Sequence, residues 1–469
     1  MVVCPLSKIG KFDNKMPKII GHTGAIFDCD FNPFHEQLLA TGSDDCSAKV
    51  WGIPDGGLTE NLREPLVDLN NHMKKVTFTS FHPCANNGKC GTVCVCVCVC
   101  CPCSLFGGVV CSRHRNKRGG EIIEKKIIIR LPNQRDNTFD LPVALEVLHR
   151  CCSCRRLTPV VFFLCSSTPF FLLSCIFFFH RPVRLFLVPA VLATGSADHT
   201  VKLWDIDSGE EKCTINCTDN LQDMQWSYAG DRIAVSCKNK TMQIFDPRTD
   251  TVVQECKPHE GSKCFNVCWL GSSNNIATVG FTRQSKRQFM IWDSRDLTKQ
   301  IHTESLDQSA GVIMPFYDED SKVLYLAGKG DGNIRFYEMI PEKPHTFSLS
   351  EYRGSGSQKG MCFIPKRHCD TKKCEVMRGL KLTSKTVEPL SFIIPRKSDR
   401  FQADIYPDTK AGVPALEADA YFGGASDFTP KLVSMDPKNK GAEGECSNEA
   451  LSPIFFLLLY CAAAFFFSC

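Results

Sequence analysis

His22, Ser43 and Asp45 are the residues whose types could do chemistry together, since a hydroxyl, an imidazole and a carboxylate make up the set used for nucleophilic acyl transfer. The set recurs as His72, Thr194, Ser196 and Asp198, and each copy closes on a tryptophan, Trp51 and Trp204. A constellation repeated along a chain is architectural, because every polar group buried in a sheet needs partners and each repeat must supply its own. The expectation is therefore a His, Ser/Thr, Asp and Trp hydrogen-bond chain that ties a loop to a strand. Later repeats read Phe245-Asp246 and Tyr337-Glu338, so their network is thinner. No G-x-x-x-x-G-K-[ST], H-E-x-x-H or G-x-S-x-G signature is present. Gly328-Lys-Gly-Asp-Gly332 precedes a strand and no helix follows it, which makes it a tight turn. The expectation is a non-enzymatic chain without metal or cofactor.

The elements that must position these residues are strands. A turn residue stands six positions before an aromatic at Asp45/Trp51, Asp198/Trp204, Asn239/Phe245, Lys286/Trp292 and Asp331/Tyr337. Each aromatic closes a short apolar run rich in β-branched residues, as in Val201-Lys-Leu-Trp204 and Phe289-Met-Ile-Trp292. The last three intervals between aromatics are 41, 47 and 45 residues, near the period of about 40–45 of WD-repeat propeller blades. His22 precedes Trp51 by 29 residues, whereas His72 precedes Trp204 by 132. Removing 88–190 restores the 29-residue spacing. The reading is an all-β WD-repeat propeller with one blade split between Phe78–Phe81 and Val191–Thr194.

The splitting segment has its own character. Val93-Cys-Val-Cys-Val-Cys-Val-Cys100 is what an in-frame GTGTGT repeat encodes, and Gly88-Lys89 can be written GGT-AAG, the consensus start of an intron. Toward its end the segment turns to the Phe, Leu, Ser, Pro and Cys of pyrimidine-rich codons, so a retained intron is expected. Pro453–Cys469 has a similar composition. Val160–Phe179 is long and apolar enough for a membrane span. Pro169 and the Ser/Thr cluster oppose that, and insertion would tear a blade, so no span is expected. Cys101-Pro-Cys103 and Cys151-Cys-Ser-Cys154 lack the matching partner pair that zinc requires.

Composition fits one large domain with an intrusion. The net charge of +4 misleads, because the segment holds fourteen Lys/Arg against five Asp/Glu and the rest of the chain is net −5. A nucleic-acid partner is not expected on that account, and Arg113-His-Arg-Asn-Lys-Arg118 is incidental. Thirteen of the 29 cysteines lie between 90 and 175. The others are scattered in a chain without a signal peptide and read as small core residues in a reducing compartment. Asn216-Cys-Thr218 and Asn239-Lys-Thr241 fit the glycosylation pattern but would not meet the enzyme there. Basic clusters stand out at Lys74-Lys75, at Arg283 with Lys286-Arg287, and at Arg396-Lys397 with Arg400.

Over roughly 5–87 and 191–437 the chain resembles the coronins, actin-associated WD-repeat proteins. The carrying stretches are GHTGAIFDCDFNPFHEQLLATGSDDCSAKVW, FDPRTDTVVQECKPHEG, DQSAGVIMPFYDEDSKVLYLAGKGDGNIRFYE, IPKRHCDTKKCEVMRGLKL, IIPRKSDRFQADIYPDT and LEADAYFGG. The resemblance implies a seven-bladed propeller, incomplete here, with 351–437 completing the ring and then wrapping back along one face. The domain scheme is propeller at 1–87 and 191–395, insertion at 88–190, packed extension at 396–440 and hydrophobic tail at 441–469.

Three departures qualify the resemblance. The family carries roughly fifty more residues before the first repeat, so only Val2–Ile9 is left to supply a strand to the closing blade, with an exposed edge expected there. The family ends in a coiled coil, whereas 441–469 shows no heptad, so a monomer with weakened contact to the actin-related-protein nucleation complex is expected. The insertion is the third. The function implied is binding of filamentous actin and regulation of its organisation in the cytoplasm and in cell migration, with Lys74, Lys75, Arg283, Lys286, Arg287, Arg396, Lys397 and Arg400 as contact candidates. A scaffold propeller serving membrane traffic, and a nonfunctional isoform, are the competing readings.

Overall fold

The computed structural model describes residues 1–6, 10–11, 15–54, 56–86, 190–397, 400–425 and 428–438, together with the backbone of five strands at 91–93, 109–113, 124–128, 185–187 and 456–459. Two compact units emerge, one of 1–88 with 188–469 and one of 89–187. In the smaller unit Gly91–Val93 pairs with Leu185–Leu187, and Val109–Arg113 with Glu124–Ile128, both antiparallel. The membrane-span and zinc readings, the basic run 113–118 and most of the tail lie outside the described residues. Among the described residues no helix is long and apolar enough to cross a membrane.

The larger unit is a set of antiparallel sheets following one another along the chain. The first blade runs Ile26–Phe31, Leu38–Ser43, Ala48–Gly52 and Val67–Leu69. The second joins Val76–Asn86 to Ala190–Ser196, Thr200–Asp205 and Glu210–Asn216. Phe81 stands opposite Leu192, Thr79 opposite Thr194 and Phe78 opposite Gly195, so the split halves form one ladder across the insertion. Leu221–Trp226 through Thr251–Cys256 form the third blade, Asn266–Trp269 through His302–Asp307 the fourth and Ile313–Asp318 through Thr346–Arg353 the fifth.

The sixth blade has three strands, Gly360–Phe363, Glu375–Leu382 and Val387–Ile393. It meets the first blade directly, since Arg367 and His368 both reach Glu36, at 3.3 and 3.1 Å. Among the described residues the ring therefore has six blades. Among the described residues the N-terminal segment contributes little to the closing sheet. Val2–Pro5 pairs with Phe456–Leu459, and the outer edge of Val387–Ile393 receives one bridge, Lys11 to Thr386, and one hydrogen bond from Val387 N–H to Gly10 O. Of the Val2–Ile9 expected to supply the closing strand, Val2–Pro5 pairs elsewhere, and 7–9 lie outside the described residues. Met1 and Val3 pack with Leu39 and Trp51 of the first blade while Leu6 and Met16 pack with the sixth, so the segment fills the seam by apolar burial.

Second strands are buried throughout because both faces are covered by neighbouring blades: Leu38–Ser43, Ala190–Ser196 and Ile233–Cys237 have no exposed residue. Outermost strands alternate or are exposed, as in Thr346–Arg353. Beyond the sixth blade the chain crosses the end of the ring where first strands finish. Tyr406 donates to Glu375 O at 2.9 Å, Ala415 N–H donates to Cys84 O, and Leu416 bridges Ala85. The short helix Ala418–Phe422 seats Tyr421 against His82 and Trp226, with ring centroids 4.5 and 6.5 Å away. His82 accepts at Nδ1 from the N–H groups of Cys84 and Ala85 and donates from Nε2 to Gly230 O. Burial keeps it neutral, pushing its pKa down to about 3.

Candidate interaction surface

Each blade presents two ends. The loop entering a blade and the turn between its second and third strands lie at one end, called here the turn end. The extension packs at the other, the extension end.

At the turn end of the first blade, Trp51 Nε1–H donates to Thr41 Oγ1 at 2.8 Å, Thr41 meets His22 Nε2 at 2.8 Å, and His22 Nδ1 meets Asp45 Oδ2 at 2.9 Å. Indole can only donate, so the threonine hydroxyl passes its own proton to Nε2, and the neutral imidazole donates from Nδ1 to the carboxylate. The charges agree with this direction. Burial lowers the His22 pKa against the pull of Asp45. Burial raises Asp45, but donation from Ser47, His22 and the Thr23 N–H outweighs it and holds the carboxyl well below its usual range.

The second blade repeats the chain through Trp204, Thr194, His72 and Asp198 at 2.7, 2.7 and 3.0 Å. The bridging hydroxyls are thus Thr41 and Thr194. Ser43 and Ser196 take another part, accepting the N–H of Asp45 and of Asp198 at 3.3 and 3.1 Å. Thr41 is fully buried with its hydroxyl engaged by indole and imidazole, which leaves no nucleophile there. A side chain at Gly21 would strike the Trp51 ring, so glycine precedes the histidine for steric reasons.

Sequence reading missed a third copy. In the fourth blade Trp292 donates to Thr278 at 3.0 Å, His259 Nε2 lies 3.1 Å from Thr278, and Gln288 replaces the aspartate at 3.2 Å from His259 Nδ1. Thr278 precedes Trp292 by 14 residues where Thr41 precedes Trp51 by 10, so this hairpin is longer by two cross-strand pairs and hides the match, though Pro258-His259 carried the signal.

The basic candidates do not form one cluster. Lys74 is exposed in the loop entering the second blade, and Lys75 lies over the Phe27 ring at 4.9 Å. Arg283 and Lys286 are exposed on the turn of the fourth blade, Arg283 facing Glu260 at 3.3 Å. Arg287, beside them in sequence, is buried: it pairs with Asp307 and, at 2.6 Å, with Asp331 of the fifth blade. Its side chain joins two blades and offers no surface for a partner, which corrects its place among the contact candidates. Arg396, Lys397 and Arg400 follow the third strand of the sixth blade, whose Ile393 stands opposite Glu375, so they lie toward the extension end. Arg396 pairs there with Asp404.

Comparison with known proteins gives the context. The WD domain, G-beta repeat family matches residues 14–52 and 174–205, and a further type of WD40 repeat matches 387–427. Coronin-like protein of Saccharomyces cerevisiae is 31% identical over 92% of this chain and 52% of its own length, and human Coronin-2A is 30% identical over 93% of this chain and 65% of its own. The WD40 domain of Toxoplasma gondii coronin superposes with a TM-score of 0.64 at 25% identity, covering 89% of this chain and 82% of that one. The chain belongs to the coronin family. It spans between half and two thirds of the length of these curated relatives.

In this coronin propeller the turn end is the end on which the extension does not pack. The third blade, between the two blades that carry Lys74 and Arg283, adds Lys238, which is exposed, and Lys240, whose ammonium donates to Glu260 O at 2.9 Å. Three successive blades therefore carry basic groups at the turn end. The extension end is partly covered by the chain itself, with Lys410 donating to Tyr228 O at 3.2 Å and lying 3.8 Å over the Tyr228 ring.

Proposed function

We propose that this chain binds filamentous actin in the cytoplasm and regulates its organisation, without catalysis, through the turn end of the second to fourth blades. Coronin family membership supports the partner. The observation that carries the surface is the arc of Lys74, Lys238, Lys240, Arg283 and Lys286 across three adjacent blades of a propeller whose other end is partly covered by its own extension. A long acidic filament would be met by several blades at once, and complementary charge both steers encounter and fixes orientation. Contact with the actin-related-protein nucleation complex belongs to the same reading as a second, separable interaction.

Co-sedimentation of the full chain with actin filaments tests this. Reversal of Lys74, Arg283 and Lys286 to Glu is expected to weaken binding roughly tenfold, from a few tenths of a kcal/mol to about 1 kcal/mol per lost exposed pair. Reversal of Arg396, Lys397 and Arg400 is expected to leave it nearly unchanged, and the parent should weaken as salt rises. Equal loss from the two sets, or binding indifferent to both sets and to salt, overturns the assignment.

A further inference from the structure

The loop entering the second blade displays an apolar side chain for which the fold has no use. Met73 is 89% exposed, and among the described large apolar residues the next, Leu432, reaches only 54%. Of the eleven methionines every other one is buried or half-buried. Apolar groups stabilise a fold by leaving water, so a thioether left almost wholly in solvent contributes nothing to folding.

The backbone beneath this side chain is held firmly. His72 is locked between Thr194 and Asp198, and the Met73 N–H donates to Asp198 Oδ2 at 3.0 Å. The first blade makes the same contact from Thr23 N–H to Asp45 Oδ2, at 2.9 Å. The residue after the histidine is thus Thr23 in the first blade, Met73 in the second and Glu260 in the fourth. Of the three only Met73 is apolar, and it stands next to Lys74, the first member of the basic arc. A pinned main chain under an exposed side chain lets a partner be met with little ordering of the loop.

We propose that Met73 is an apolar anchor of the turn-end surface and a site of oxidation by hydrogen peroxide, which releases the partner. The partner follows the filament reading, on which this inference rests, whereas the oxidation chemistry does not depend on it. An unbranched, polarisable thioether fits irregular apolar depressions, and its burial adds a contact that salt does not screen to charges that salt does. In the oxidation a lone pair of the Met73 sulfur attacks one oxygen of the peroxide. The S–O bond forms as the O–O bond breaks, and the departing hydroxide takes the proton left on the transferred oxygen. The sulfur loses two electrons, and one peroxide becomes one sulfoxide oxygen and one water. The sulfoxide is polar and a hydrogen-bond acceptor, so burying it against an apolar surface is unfavourable.

The full chain is treated with hydrogen peroxide and then with dithiothreitol, which restores oxidised thiols and leaves sulfoxides in place. It is divided between tryptic mass mapping and co-sedimentation with actin filaments. The tryptic peptide 64–74 holds Met73, no other methionine and no cysteine. It is expected to gain one oxygen before any other methionine does, and filament affinity is expected to fall about tenfold as it does so. Methionine sulfoxide reductase is expected to reverse both changes. M73Q, with a polar end in place of the thioether, is expected to bind as weakly without peroxide as the oxidised parent. M73L has no sulfur to oxidise, and its affinity, whatever the starting value, is expected to survive peroxide. Earlier oxidation of another methionine, full oxidation of 64–74 without loss of binding, or equal loss in M73L overturns the proposal. An untreated parent without salt-sensitive binding overturns the filament reading and the anchor with it. An untreated parent that binds in a salt-sensitive way, and no better than M73Q, overturns the Met73 inference alone.

Discussion

At the level of single residues, the turn end is organised by which hydroxyl an indole can reach. Successive side chains on a strand alternate faces, so Thr41 and Ser43 share a face, and type alone cannot say which of them bonds to Trp51. The ladder decides: Leu39 stands opposite Trp51, and the indole leans along the sheet onto Thr41. His22, Asp45 and the tryptophans were legible because they recur in phase. Choosing between the two hydroxyls required the register, and Gln288 was hidden because it is not of the expected type. Valine at 41 keeps the shape of threonine but leaves the Trp51 N–H without an acceptor and His22 Nε2 without a donor. Thr41→Val is therefore expected to cost about 2 kcal/mol in urea unfolding, and Ser43→Ala, which loses only a 3.3 Å acceptor, about 0.5 kcal/mol. Equal costs for the two would show that the hydroxyls are interchangeable.

At the level of strands and blades, first strands are tied to one another by buried carboxylates that no motif marked. Asp28 accepts the Thr79 N–H and Asp30 the Phe81 N–H, both at 2.8 Å, and Asp223 ties the third blade to the fourth by accepting the Val267 N–H at 2.8 Å. The first strand is half-exposed, yet protein surrounds these groups, so the charged form is poorly solvated and burial pushes Asp30 up to about 7 against the pull of the Phe81 N–H. A carboxyl raised in the folded state favours folding fully below its unfolded pKa of about 4, and that contribution is lost as pH rises through about 7. Asparagine keeps an acceptor for Phe81 and does not titrate. Asp30→Asn is therefore expected to be more stable than the parent at pH 8 and to lose most of that advantage by pH 5, as read from urea midpoints. A constant difference across this window would mean that Asp30 does not titrate there. The strands themselves were legible from the turn-to-aromatic phase. The packing of 396–438 was not, because a stretch held by scattered contacts such as Tyr406 on Glu375 and Tyr421 on His82 leaves no period to read.

For the whole molecule the question is whether the second blade needs what lies between its halves. Register supplies a measure. In the first blade Phe31 and Leu39 stand opposite each other with seven residues between them, and in the second blade Phe81 and Leu192 do so with 110 between them. Removing 88–190 leaves His82–Asn87 and Val191, again seven residues. Those residues already carry local order of their own, since His82 gathers the N–H groups of Cys84 and Ala85, and Asn86 N–H donates to Leu416 O. The shortened connection thus has the length and part of the hydrogen bonding that a blade uses. Closing a loop of seven residues costs less entropy than closing one of 110, at about 0.6 kcal/mol for each doubling, so the shortened chain is expected to be more stable by roughly 2 kcal/mol. Urea unfolding of the two chains, followed by tryptophan fluorescence, measures the difference, and amide exchange reports whether Thr79 and Thr194 remain protected. A shortened chain that is less stable, or that loses protection at these two positions, would show that the inserted residues take part in holding the blade together.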